Sequence, residues 1–396
     1  MSPLENNIPL LKRINFLTDF RPYAPIMVLY FADVTGSYAL TALLFTIGAW
    51  SSTALEVPTG MLSDRIGRKG VVIAAFGATI IGLACDALAD SFGLLSVGSL
   101  FMGLSFALNS GNTDALLYES VPSERREAEY TGIYGKVSAM FQLGLGLSAL
   151  ACAALLPFVS YRTIFALAII PQIVGLVLSF RLTEPSVHTE HIRSNIFADA
   201  REAVGLFLSN ARLRLMNLRS IISFGIGEAM HDFQSAFMAL FWPAWGIGLA
   251  RAAACGLAFL GTHEIWRWKK YAGDAKILFE SDVARRVMGL IFTGFPSALS
   301  PALLSASSLF FGTSSVTLSS MMQREFSDRQ RATMGSLNAL VGKLFLGTML
   351  LLIGWSADEY GLIRTLFACE ILLVSIAVIS YFIYRDGLQV STERSE

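Results

Sequence analysis

Glu56-Val57-Pro58-Thr59-Gly60-Met61-Leu62-Ser63-Asp64-Arg65-Ile66-Gly67-Arg68-Lys69-Gly70 is a compact turn between two long apolar runs. Asp64, Arg65, Arg68 and Lys69 place four charges within six residues. Between two candidate membrane spans such charge is costly unless the protein uses it. Gly60 and Gly67 stand where a side chain would obstruct a close helix approach or a tight turn. Asp64 can accept from backbone N–H groups at the exposed N-terminus of a neighbouring helix, where the dipole favours an anion. Arg65 and Arg68 can pair with Glu119 at the end of a later apolar run through charge-assisted hydrogen bonds. Such a cluster is either a latch between moving parts or a plain anchor that fixes topology.

Composition points the same way. Of 396 residues, 54% are hydrophobic and only 15% charged, against about 25% charged in a soluble domain. A span needs roughly 20 apolar residues to cross ~30 Å of hydrocarbon, so twelve crossings with short loops fit this length. The net charge of zero identifies no partner. No removable signal peptide is expected, because no short apolar core precedes a small-residue cleavage site. Cys85, Cys152, Cys255 and Cys369 each sit in an apolar run without C-x-x-C spacing, which argues against disulfides and metal sites.

The hydropathy pattern predicts an all-α membrane protein with spans near 17–37, 39–61, 70–89, 94–118, 130–157 and 161–181. They resume near 216–241, 246–265, 283–300, 302–322, 333–355 and 362–384. Val287 to Gln323 is one uncharged stretch, divided here at Ser297–Pro301 because Pro and Ser punctuate it. A ninth span starting near Ala275 would instead carry Glu280, Asp282, Arg285 and Arg286 at its cytoplasmic end.

Short loops retain Lys and Arg on the cytoplasmic side. One set of loops holds Lys12/Arg13, Arg65/Arg68/Lys69, Arg125/Arg126, Arg267/Lys269/Lys270 and Arg324/Arg329/Arg331, whereas the alternate loops hold little beyond Arg162, Arg251 and Arg364. Both termini are therefore expected in the cytoplasm. The polar stretch 182–215 divides the chain into an N-terminal six-helix bundle, 1–181, and a C-terminal one, 216–396. Within it, apolar spacing over 196–208 predicts an interfacial surface helix. The halves echo each other: Arg125-Arg126 precedes Gly135-Lys136, and Arg329-Gln330-Arg331 precedes Gly342-Lys343, as parallel repeats would.

The opening stretch resembles the loop 2–3 signature of the major facilitator superfamily, Gly-x-Leu-x-Asp-Arg-x-Gly-Arg-Lys. Gly60, Leu62, Asp64, Arg65, Gly67, Arg68 and Lys69 all match. Glu56 to Gly60 resembles the "EvPtG" lead-in of a prokaryotic branch. Ser110 to Glu119 resembles its fourth-span ending, and Arg331 to Leu337 the "RATxxSL" start of span eleven. The resemblance implies two six-helix bundles that rock about a central site, moving a small solute by alternating access, often with protons. It also implies that the helix facing Asp64 is span eleven, beginning near Ala332. Span five departs from the drug–proton antiporters of the superfamily. It reads Gly144-Leu145-Gly146-Leu147-Ser148-Ala149 with no proline until Pro157, which weakens a drug-efflux reading.

Several polar residues stand inside spans. Glu228, His231, Asp232 and Ser235 fall at i, i+3, i+4 and i+7 on one face of span seven, and three titratable groups on one stripe suit a proton relay. Asp33 near the outer end of span one and Asp114 in span four are further coupling candidates. Ser105, Asn109 and Asn112 share a face of span four, so Asn109 and Asn112 are candidate solute ligands. Tyr30 and Gln234 complete the expected cavity lining. Each has a plainer reading as packing or interface contact.

The expected function is that of a secondary transporter in a bacterial cytoplasmic membrane, a monomer exporting a small organic solute against protons. Proton-coupled nutrient uptake is the alternative within transport. A non-transporting sensor or assembly partner is the alternative of another class. An enzyme is not expected: no Ser/His/Asp or metal-ligand spacing occurs, no cofactor is implied, and no Walker A motif supports ATP-driven pumping. Nucleic acid is not an expected partner.

Overall fold

The computed structural model describes residues 4–122, 126–185, 211–268, 273–325 and 328–393. The predicted surface helix over 196–208 lies outside them. Every regular element among the described residues is helical, and the chain forms two compact units, Met1–Thr189 with Pro243–Ala252 and Glu190–Trp242 with Ala253–Glu396.

The first unit begins with α1 (Asn7–Asp19), a 3₁₀ turn (Ala24–Ile26) and α2 (Met27–Thr35). The first passage is therefore broken, where the sequence pattern predicts one span over 17–37. Pro22 and Pro25 flank the break, and a proline cannot donate to a helical ladder. α3 (Tyr38–Leu88) holds two passages joined at Gly67, whose φ of 81° is non-helical. α4 (Phe92–Asn109) and α5 (Asn112–Ser120) make the next passage, interrupted at Gly111 with φ 68°. α6 (Arg126–Leu155) and α7 (Tyr161–Ser179) complete this half.

Burial along α7 shows the solvent it was built for. Ile164, Phe165, Ala168, Gln172 and Gly175 are buried, whereas Ile170, Ile173, Val174 and Val177 are exposed. The exposed stripe is as apolar as the buried one, which suits lipid rather than water. α3 and α4 pack closely through small residues: a Cβ on Gly82 would lie 3.1 Å from the Gly98 carbonyl oxygen. Tyr23, Tyr30, Phe31 and Phe165 form an aromatic cluster in the same core.

The second half contains α8 (Ala211–Ala239), α9 (Ala244–Trp268), α10 (Asp274–Gly294), α11 (Ser300–Glu325), α12 (Asp328–Tyr360) and α13 (Leu362–Glu393). α8 packs along α12, and α10 along α11 and α13. The uncharged stretch does divide near Ser297, and span nine is Asp274–Gly294, as the alternative start near Ala275 has it rather than 283–300, so Glu280, Asp282, Arg285 and Arg286 lie well inside it. Span eleven likewise starts at Asp328, ahead of the expected Ala332.

With α3 counted as two passages, and the broken α1–α2 and α4–α5 runs as one each, the described chain makes twelve helical passages. Among the described residues, seven segments are long and apolar enough to cross a membrane. The shortfall has a physical cause: the first passage is broken into the short α1 and α2, α3 carries two passages at once, and α8, α10 and α11 carry polar or charged residues along their length.

Candidate functional site

Three groups of polar residues stand out, two in the first unit and one in the second. The first lies at the Gly67 turn. Arg68 Nε donates to Glu119 Oε2 at 2.7 Å and its Nη2 to Oε1 at 2.6 Å. This is the bidentate geometry that makes guanidinium–carboxylate pairs specific. Arg65 is exposed and takes no part in the pair, so the expectation that both arginines hold Glu119 is met by Arg68 alone. Asp64 and Gly60 are also exposed. A Cβ on Gly60 meets nothing within 4 Å among the described residues.

Gly67 has the opposite character. Its φ of 81° belongs to the left-handed region that a side chain disfavours, and a Cβ would sit 2.6 Å from Glu184 Cδ. The space is occupied because Glu184 accepts from the backbone N–H groups of Arg68 at 2.7 Å and Lys69 at 2.8 Å. These are orphan donors at the start of a new helical passage, and an anion there is favoured by both hydrogen bonding and the helix dipole. The carboxylate that caps a helix at this turn is thus Glu184, which the sequence reading passed over as the start of a linker. Its signal was an acid in Thr183-Glu184-Pro185, one step past the end of span six.

Asn112 belongs to the same turn. Its Nδ2 donates to the Arg68 carbonyl oxygen at 2.9 Å, and its Oδ1 accepts from Ser63 Oγ at 2.9 Å. This corrects its assignment as a solute ligand: both ends of the amide hold the turn. Asn109 donates to Ser105 O one turn back at 3.1 Å. The break at Gly111 takes Asn109 and Asn112 off the shared face that continuous helical spacing predicts. Asp114 is exposed in the first turn of α5. Nearby, Asn7 Nδ2 donates to Ser120 Oγ at 3.0 Å and to Thr183 O at 2.8 Å, tying α1 to the ends of α5 and α7.

The second group lies at the far end of the same unit. A cavity of about 650 Å³ is lined by Tyr30, Asp33, Asp90, Tyr161 and Arg162, among others. Asp33 is exposed there. Tyr30 is almost fully buried, and its hydroxyl donates to the carbonyl oxygens of Asp86 at 2.7 Å and Ala89 at 3.2 Å. It joins span one to the end of α3, and the ring it shares with the cavity is mostly packed on Phe165. Asp86 itself is buried, with no hydrogen-bond partner for Oδ1 among the described residues. It is a polar residue that the sequence reading missed.

The third group is in the second unit. Glu228, His231, Asp232 and Ser235 lie on α8 as the spacing predicts: Ser235 is buried, Glu228 and Asp232 are half-buried, and His231 is exposed. Gln234 is half-buried on the same helix. Beside them stand Asp282, Arg285 and Arg286, which the sequence reading placed on span nine, together with Arg219 and Glu370, which it did not name. Arg219 of α8 pairs with Asp282 of α10. Arg286 of α10 pairs with Glu370 of α13 at 3.4 Å, with side-chain exposures of 7% and 5%. Arg285 Nε is buried without a hydrogen-bond partner among the described residues, and its guanidinium lies 5.1 Å from the centre of the Phe311 ring. Asp282, Glu370 and Glu228 are within electrostatic reach of it. Gly289, one turn after Arg285, makes room for this network, because a Cβ there would fall inside contact with the Glu370 carboxyl. The signal was available: Glu370 and Arg219 are ionisable residues within predicted spans, where burial of unpaired charge is heavily disfavoured.

Among the described residues no group of His, Cys, Asp and Glu could hold a metal ion.

Comparisons agree with this architecture. A nucleoside transporter structure superposes with a TM-score of 0.78 at 14% identity, covering 96% of this chain and 99% of that one. A D-xylose–proton symporter superposes with a TM-score of 0.72 at 13% identity, covering 94% and 95%. At these identities the likeness concerns the fold. A Na(+), Li(+), K(+)/H(+) antiporter of Planococcus maritimus is 27% identical over 180 residues, which is 44% of this chain and 41% of that relative. The aligned region thus spans well under half of the antiporter. The Major Facilitator Superfamily profile matches residues 14–384, nearly the whole chain, so this multi-pass membrane protein belongs to the Major Facilitator Superfamily.

Proposed function

We propose that the protein is a proton-coupled secondary transporter that exports a small amphipathic organic solute by alternating access. It would act as a monomer in a bacterial cytoplasmic membrane, with both termini and the Gly67 turn on the cytoplasmic side. The observation that carries the reading is the stripe of Glu228, His231 and Asp232 on α8, inside a helical unit that also buries Arg219 and Arg286. Ionisable groups inside a membrane unit mark a water-filled path or a partner, and here both signs of charge occur together. The Arg68–Glu119 pair and the Glu184 cap form a polar cluster at one end of the first unit. A cluster of that kind suits the latch of an alternating-access cycle.

The test is a solute library applied to reconstituted vesicles with an imposed pH gradient, scoring solute-induced proton flux. Flux with an organic solute is the expected result, and its absence across the library sinks proton coupling. A second reading, exchange of monovalent cations for protons, is favoured by the match to the antiporter relative. The same vesicles loaded with sodium or potassium and no organic solute separate the two, since only cation exchange moves protons under those conditions.

A further inference from the structure

α10 presents two arginines in succession, and the structure treats them differently. Arg286 is buried and bonded to Glu370. Asp282, one turn before, is bonded to Arg219. That leaves Arg285, and among the described residues no hydrogen bond joins its guanidinium to a carboxylate. Arg285 is the twelfth residue of a 21-residue helix, so it sits roughly 16 Å along a passage that rises about 1.5 Å per residue. A guanidinium at that depth is not left facing hydrocarbon; it faces a partner or a wet path. The Phe311 ring covers one face of the guanidinium plane, and Nε is buried with no hydrogen-bond partner among the described residues. Phe311 is 43% exposed, so the pair presents a cation and an aromatic surface side by side.

We propose that Arg285 and Phe311 form a subsite for an amphipathic organic acid, with the anionic group on the guanidinium fork and the adjoining apolar body against the ring. A planar carboxylate matches the fork with two parallel hydrogen bonds. The buried pairs around it hold the fork in place: Arg286–Glu370 and Arg219–Asp282 fix α10 against α13 and α8, so neither acid is free to swing onto Arg285. Glu228 is within electrostatic reach and is the carboxylate an incoming anion would have to rival. This proposal deepens the transporter reading by naming a solute class, and it depends on neither the direction of transport nor its coupling.

The experiment uses the full chain in neutral-lipid nanodiscs, with phenylacetate and its uncharged analogue phenylacetamide as calorimetric probes. Wild type is expected to bind the acid at least tenfold more tightly than the amide. Arg285→Gln should bring the acid down to the level of the amide, and Arg285→Lys should keep part of the preference. Phe311→Leu should weaken both probes while leaving their ratio. Equal binding of acid and amide by wild type, no binding of either, or a preference that survives Arg285→Gln would each overturn the proposal. If Arg285→Gln does not fold, the wild-type ratio and the Arg285→Lys variant decide. Nanodiscs containing phosphatidylglycerol should bind phenylacetate as neutral ones do; a tenfold loss there would make a lipid headgroup the occupant and overturn the solute assignment. Acid binding that persists without solute-driven proton flux would count against the coupling reading and leave this one standing.

Discussion

Arg68 grips Glu119 with two hydrogen bonds of 2.7 and 2.6 Å, joining the Gly67 turn to the end of α5 across 51 residues of sequence. Both side chains are partly exposed, at 26% and 20%, so solvent screens the pair and its coupling should be on the order of 1 kcal/mol. A double-mutant cycle with Arg68→Gln and Glu119→Gln, read by thermal unfolding of the purified protein, is expected to show that coupling. Transport should slow in each single variant. If the two substitutions prove additive and transport is unaffected, the pair is a topology anchor and nothing more.

The Glu184 cap makes a sharper prediction. Gly67→Ala forces a Cβ onto a left-handed backbone and into the Glu184 carboxyl, 2.6 Å away. Of the two effects, the backbone conformation alone, φ 81° with ψ 164°, costs about 1–3 kcal/mol for a residue with a side chain. Glu184→Ala removes the obstruction together with the cap, so the double variant should be no more stable than Gly67→Ala. Gly60→Ala, at a position with open space around it, should leave the melting temperature unchanged. A Gly67→Ala protein as stable as wild type would refute the account of the turn.

Much of this was readable in the chain. The signature of Gly60 to Lys69 and the long apolar runs are local patterns, and the family and the helical fold follow from them. The departures share one cause, which is that partnership is not local. Asn112 looked like a solute ligand because a polar residue on an apolar helix needs an explanation. Its explanation is Ser63 and the Arg68 carbonyl, 49 and 44 residues away. Glu184 lay just past a span end and read as a linker, since nothing in its neighbourhood says that the backbone of Arg68 and Lys69 lies above it. Arg285 and Arg286 were assigned to a span end because an uncharged stretch sets hydropathy boundaries. Their place inside the membrane unit is made tolerable by Glu370, which lies 84 residues away from Arg286.

That last pair can be tested as a buried charge pair. Breaking it from one side, with Arg286→Met or Glu370→Gln, strands the other charge and should destabilise the protein by about 3–5 kcal/mol. Replacing both with Arg286→Met/Glu370→Leu should recover most of the loss, because two apolar groups need no partner. Gly289→Ala should resemble the single variants, since its methyl intrudes on the Glu370 carboxyl. The readout is the melting temperature of the purified protein, which is expected to fall in the single variants and return in the double. A double variant no better than the worse single would show that the pair does not act as a unit.

The coupling reading stands or falls on α8. Glu228 and Asp232 are one turn apart, with His231 between them on the same stripe, and Arg285 lies within electrostatic reach of Glu228. Where titratable groups interact strongly their protons come off in linked steps, so a change at one is expected to alter the behaviour of the other. Asp232→Asn keeps the shape and removes a protonatable oxygen. It should abolish accumulation against a gradient while still allowing downhill exchange, because binding and the rocking of the helices do not need that proton. Glu228→Gln should shift the pH dependence of transport and leave uphill movement measurable. The measurement is solute accumulation in vesicles with and without an imposed pH gradient, at matched protein levels. Should the double variant Glu228→Gln/Asp232→Asn still accumulate solute uphill, the proton is carried elsewhere, with Asp33 and Asp114 next to be tested, or the transporter is not driven by protons.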